Sequence, residues 1–106
     1  MRIQKVIKKY YIFHMARGRK RDCRHSITCF SDLDGNKTIG TLYFYKNSAT
    51  LPENTAHQLY FRSSQFDSVV KTLRVENPVS YFFADSKYCG ITTGNESVGE
   101  EEGAGA

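Results

Sequence analysis

The sequence predicts a single α+β domain, in which a mainly antiparallel, twisted sheet of about five strands carries one well-marked helix on a face. Three observations predict it. Five short stretches between residues 25 and 93 are rich in β-branched and aromatic residues and are separated by turn signals. One stretch, 65–76, repeats its apolar residues at the helical period. The chain has 106 residues, 40% apolar and 13% aromatic, and a chain of this size removes roughly 60–70% of its unfolded surface from water on folding, enough for one modest core.

The first stretch is ambiguous. Ile3, Val6, Ile7, Tyr10, Phe13 and His14 fall at i, i+3, i+4 and i+7 spacing, which predicts a helix over 3–14. Against this, the run Tyr10, Tyr11, Ile12, Phe13 prefers strands, and no N-cap residue precedes Ile3. Met15 opens a different, strongly basic stretch, so the sequence admits residues 1–14 as an extension of a domain that starts there.

From His25 the pattern is that of strands. Residues 25–31 and 38–46 flank Asp34-Gly35-Asn36, which tolerate the positive φ of a tight hairpin turn. Alternation sends Leu42 and Phe44 to one face and Ile39, Tyr43 and Tyr45 to the other. After a polar loop, 47–56, the strand 57–62 places Leu59 and Phe61 opposite Tyr60 and Arg62. The helix over 65–76 carries the stripe Phe66, Val69, Val70 and Leu73, with Ser64 as the expected N-cap, Asp67 near the positive helix end and Asn77-Pro78 as the stop. Strands over 79–84 and 87–93 follow, joined at Asp85-Ser86. The expected core is the helix stripe with Leu42, Phe44, Leu59, Phe61 and Ile91. Three regions result: a basic N-terminal segment 1–24, the α+β core 25–94, and an acidic, Gly/Ala-rich tail 95–106 expected to be disordered.

Several function classes are disfavoured at this stage. Ordinary charge content and plentiful aromatics argue against wholesale disorder, and no apolar run approaches the ~18 residues that cross a bilayer, so no membrane partner is expected. Cys23, Cys29 and Cys89 are odd in number, lack a CxxC pair and follow no secretory signal, which points to the cytoplasm. On that reading, Asn36-Lys37-Thr38 and Asn95-Glu96-Ser97 are not glycan acceptors. Cys23, His25 and Cys29 approach zinc-ligand spacing, with Cys89 or His57 to complete a set, but the tight paired knuckles of structural zinc sites are missing. Asp32, Asp34 and Asn36 open like a calcium loop, yet Gly35 stands at the fourth position and Tyr43 at the twelfth, so a hairpin turn explains them better. His14, His25 and His57 lack a nucleophile-elbow context, and no GxGxxG or GxxxxGK[ST] occurs. The expectation is a non-enzyme without cofactor or metal.

Charge is distributed unevenly. Residues 1–30 hold nine basic side chains and one acid, Asp22, while the remainder holds six basic and ten acidic residues. Arg17, Arg19, Lys20, Arg21 and Arg24 form the sharpest chemical feature, because clustered cations gain affinity for phosphates by releasing condensed counterions. The bland alternative is a solvated loop or a partner for the acidic tail. Strand tyrosines, namely Tyr43, Tyr45, Tyr60, Tyr81 and Tyr88, are the second feature. Tyr43, Tyr45 and Tyr60, flanked by Arg62, suit base stacking if their sheet face is open. They are core if the first helix or a partner subunit covers that face.

Three strands feeding one helix over about residues 25–76 loosely resemble the repeat of the PUR family of single-strand nucleic-acid binders, which builds a four-stranded sheet before its helix. The resemblance lies in coarse topology and carries no sequence motif. On the basic run and the strand tyrosines, the leading expectation is a small nucleic-acid-binding protein, single strands favoured, with phosphate contacts from the basic run and stacking on the tyrosines. The alternative is a protein-interaction module or homodimer that buries the same aromatic face.

Overall fold

A computed structural model describes residues 2–16 and 22–93 of the chain. The α+β class holds, but the described strands number seven and form two sheets rather than one. In chain order they are β1 (Ile3–Val6), β2 (Lys9–His14), β3 (Cys23–Phe30), β4 (Thr38–Tyr45), β5 (Gln58–Arg62), α1 (Phe66–Val75), β6 (Ser80–Asp85) and β7 (Tyr88–Thr92). One sheet has the order β1-β6-β7, the other β2-β3-β4-β5.

The helix expected over 3–14 is replaced by β1 and β2. β1 pairs antiparallel with β6, and β2 pairs antiparallel with β3. Between them the Ile7 N–H donates to the Val79 carbonyl at 2.8 Å and the Lys8 N–H to the Phe30 carbonyl at 2.9 Å. A single run thus edges both sheets and changes partner at Ile7–Lys8. Its core-facing residues are Ile3, Ile7, Tyr10 and Ile12. Their parity switches at the sheet change, so Ile3, Ile7 and Tyr10 reproduce i, i+4 and i+7 without a helix. Strand-preferring side chains and two available sheet edges decide the outcome.

Within the four-stranded sheet, β4 and β5 run parallel, joined by residues 46–57, a crossing of about the dozen residues such a pair needs. Two bulges re-aim side chains. Cys29 pairs with Gly40 but Phe30 pairs with Thr38, which leaves Ile39 as the extra residue. Ile39 is therefore buried in the core, not on the face of Tyr43 and Tyr45 as strict alternation predicts. The second bulge, between Cys23 and His25, makes Arg24 the extra residue.

The core is Ile27, Cys29, Ile39, Leu42, Phe44, Leu59, Val69 and Tyr81, with Phe61, Phe66, Val70, Leu73 and Ile91 packed against it. All the expected core residues are there. Tyr81, expected on the second face, is fully buried, and its hydroxyl donates to the Ala56 carbonyl at 2.9 Å. Gly40 makes room for it: a Cβ there would stand 2.7 Å from Tyr81 Cζ and 2.8 Å from the His57 carbonyl oxygen. Burial pushes the Tyr81 phenol up, so it stays a hydrogen-bond donor.

α1 begins differently from the sequence expectation. A 3₁₀ turn, Ser63–Gln65, precedes it, and Ser64 lies inside that turn rather than at the N-cap. Asn47 Oδ1 accepts the Ser64 N–H at 3.2 Å and Gln65 Oε1 accepts the Arg62 N–H at 3.0 Å. Donors left open by a helix start are thus met by Asn47 of a distant loop and by Gln65 of the turn itself.

Candidate nucleic-acid interface

α1 and Tyr81 cover the inner face of the four-stranded sheet, where Phe44 meets Phe61 and Phe66 at ring-centroid distances of 5.2 and 5.1 Å. The outer face follows from the register. Phe13 pairs with Ser26, Ser26 with Tyr43 and Tyr43 with Tyr60, which makes one cross-strand row. Tyr11, Thr28, Thr41 and Gln58 make a second row on one side of it. Cys23, Tyr45 and Arg62 make a third on the other.

The first row places the small Ser26 of β3 between the rings of Phe13 and Tyr43, and the third places Cys23 beside Tyr45. Ser26 and Cys23 are buried although they belong to the outer face, because the flanking rings shade them. The rings themselves stay accessible. Tyr43, Tyr45 and Tyr60 are half-buried, while Tyr11 and Phe13 are 57% and 47% exposed. Of residues 3–14, expected as a cover for this face, β2 extends its sheet edge instead and β1 edges the other sheet.

The tyrosine rings brace one another. Tyr43 and Tyr60 stack with centroids 5.4 Å apart and planes 18° from parallel, and Tyr45 meets Tyr60 edge-on at 5.6 Å. Desolvation, with the neighbouring phenols and Cys23, pushes Tyr45 and Tyr60 up, so both remain neutral donors at neutral pH. Asn54 fixes the outer edge. Its Oδ1 accepts the Tyr60 N–H at 2.7 Å and its Nδ2 donates to the Ser86 carbonyl at 3.0 Å, tying β5 to the β6–β7 turn.

The predicted cations part company here. Arg17, Arg19, Lys20 and Arg21 lie outside the described residues, on the connection between Ala16 and Asp22. Arg24 is exposed on the β3 bulge. Arg62, expected to flank a ligand, donates through Nη1 to the Asn47 carbonyl at 3.0 Å and to the Ala49 carbonyl, and so holds the loop after β4. Lys46 pairs with Asp22 at 3.3 Å, an exposed bridge of little energetic weight. Tyr88 belongs to the other sheet, 66% exposed and edge-on to Phe82 at 5.0 Å. Tyr11 and Phe13 were missed by sequence reasoning. Reading 9–14 as a strand exposes them at once, since they alternate with core-packed Tyr10 and Ile12.

The other motifs resolve locally. The Asp32 carboxylate accepts the N–H groups of Asn36 and Lys37 at 3.1 and 2.9 Å, so Asp32 shapes the hairpin turn. These N–H groups, led by that of Lys37, hold its carboxyl below the usual range. Cys23, His25 and Cys29 do not converge, because the bulge at Arg24 puts Cys23 on the outer face and Cys29 lies in the core. Among the described residues no three His, Cys, Asp or Glu side chains group together, and no helix is long and apolar enough to cross a membrane. Scans against known protein families, curated proteins and solved structures find no match for this chain.

Proposed function

We propose that the chain is a small single-strand nucleic-acid-binding protein whose outer sheet face stacks unpaired bases on Phe13, Tyr43 and Tyr60, with Tyr11 and Tyr45 at its borders. The observation that carries this reading is the row Phe13–Ser26–Tyr43–Tyr60, whose rings stay at least partly exposed among the described residues and stand on either side of a small residue. Arg24, at the end of the face where β3 begins, and the run Arg17, Arg19, Lys20 and Arg21 supply phosphate attraction. Arg62 acts indirectly, by holding the loop behind Tyr45. Duplexes are disfavoured, because their bases already stack on one another and present no free ring face.

Fluorescence anisotropy with labelled single-stranded and duplex oligonucleotides across a salt series tests this, using the full chain and a variant with Arg17, Arg19, Lys20, Arg21 and Arg24 changed to Ala. The expected result is single-strand binding that survives moderate salt and weakens in the variant, since pure phosphate attraction fades steeply with salt. Absence of binding at low salt overturns the reading. A second reading, a homodimer closing over the same rings, draws on the exposure of Tyr11 and Phe13 on the edge strand β2. Sedimentation showing a dimer that Phe13→Asp dissociates would favour it.

A further inference from the structure

His14 and His25 are direct partners across the β2–β3 ladder. Their rings lie toward α1, away from the tyrosine rows. His25 stacks on Phe66 with centroids 4.0 Å apart and planes 24° from parallel, and His14 meets Phe66 edge-on at 5.7 Å. The two Nδ1 atoms stand 3.0 Å apart. One N–H between two imidazoles sustains that contact, whereas two imidazolium rings have no acceptor for it.

Nitrogen ligands sit about 2.0–2.1 Å from a first-row divalent ion, so two such atoms 3.0 Å apart subtend about 95° at the metal. That is the cis angle of a square-planar or octahedral centre, narrower than a tetrahedral one. We infer that His14 and His25 form a bidentate chelate for a divalent nickel or copper ion, bound through both Nδ1 atoms with water in the remaining positions. Phe66 holds the His25 ring in place before the ion arrives, so little side-chain freedom is lost on binding. The Asp67 carboxylate acts electrostatically on His25 and offsets part of the repulsion between Arg24 and a cation. The site does not depend on the nucleic-acid reading, since it uses none of the outer-face rings.

Ni²⁺ is the probe, titrated into the full chain at neutral pH by calorimetry, with histidine ring resonances followed by NMR. The expected result is one equivalent bound, with selective broadening of His14 and His25 and little effect on His57, whose Nδ1 already donates to the Ile39 carbonyl at 2.8 Å. His14→Gln should weaken binding by on the order of tenfold or more, Cys89→Ser should leave it unchanged, and Zn²⁺ should bind more weakly than Ni²⁺. Acidification through the histidine range should release the ion. No uptake, uptake equal in His14→Gln, or broadening centred on His57 or near Cys89 would overturn the assignment. Broadening in the wild-type chain decides the matter even if a variant folds poorly.

Discussion

The inner and outer faces of the four-stranded sheet are built from alternate residues of the same strands, and they differ in what lies over them. Inside, Ile27, Leu42, Phe44 and Leu59 are sealed by α1 and by Tyr81. Outside, Phe13, Tyr43 and Tyr60 form a row that stays at least partly exposed among the described residues, and Ser26 of β3 sits between the rings of Phe13 and Tyr43. Of the rings inside, Phe44 and Tyr81 are fully buried, and the Tyr81 hydroxyl has the Ala56 carbonyl as acceptor. The rings outside are chiefly tyrosines, which keep a polar tip in water. Aromatic content alone therefore does not locate a core. The cover does, and here the helix has one amphipathic stripe and can seal one face only.

Substitutions that separate the two faces should differ in size and kind. The largest effect belongs to the inner face: Phe44→Ala should cost about 3–5 kcal/mol in urea unfolding, through lost burial and the cavity left behind. Gly40→Ala comes next, at about 1–3 kcal/mol, because its methyl group meets the Tyr81 ring and the His57 backbone. Tyr81→Phe should cost about 1 kcal/mol, since the Ala56 carbonyl loses its donor. On the outer face, Tyr43→Leu should change unfolding free energy by only about 0.5 kcal/mol, yet weaken oligonucleotide binding by about 1–3 kcal/mol. A Tyr43→Leu variant that unfolds as readily as Phe44→Ala would erase the distinction between the faces.

The smallest effect is that of pH. His25 binds its proton less readily in the folded chain than in the unfolded one, because of burial first, then His14 and Arg24. Stability from this source is complete above the ordinary histidine value of about 6.5 and declines as pH falls below it. Urea midpoints between neutral and mildly acidic pH should show a modest fall that His25→Phe removes. A rise on acidification would contradict the contact at the β2–β3 end.

Much of this arrangement is legible in the sequence, and the exceptions share a cause. The stripe of α1, the β3–β4 hairpin and the placement of Leu42, Phe44, Leu59 and Phe61 opposite Tyr43, Tyr45 and Tyr60 follow from local periodicity. Residues 3–14 defeat it because one run serves two sheets, and its change of parity at Ile7 imitates a helix. Ile39 defeats it because a bulge adds one residue, which no propensity announces. Tyr81 looks like its surface counterparts, and only Gly40, far away in sequence, shows that a ring passes there. The candidate site was half legible: Tyr43, Tyr45 and Tyr60 from alternation alone, Tyr11 and Phe13 only once β2 is known to be a strand. Arg62 illustrates the limit for charge, since its engagement with the Asn47 and Ala49 carbonyls depends on a loop folding back.

The most direct test of the open outer face is an NMR titration of the isotopically labelled full chain with a single-stranded oligonucleotide, following backbone amides and aromatic side chains together. The account predicts the largest shifts at Phe13, Ser26, Tyr43 and Tyr60, with smaller ones at Tyr11, Tyr45 and Arg24, and little change at Leu42, Leu59 or Phe82. Shifts confined to Arg24 and the preceding basic run, with the tyrosine rings unmoved, would contradict it and leave only phosphate attraction.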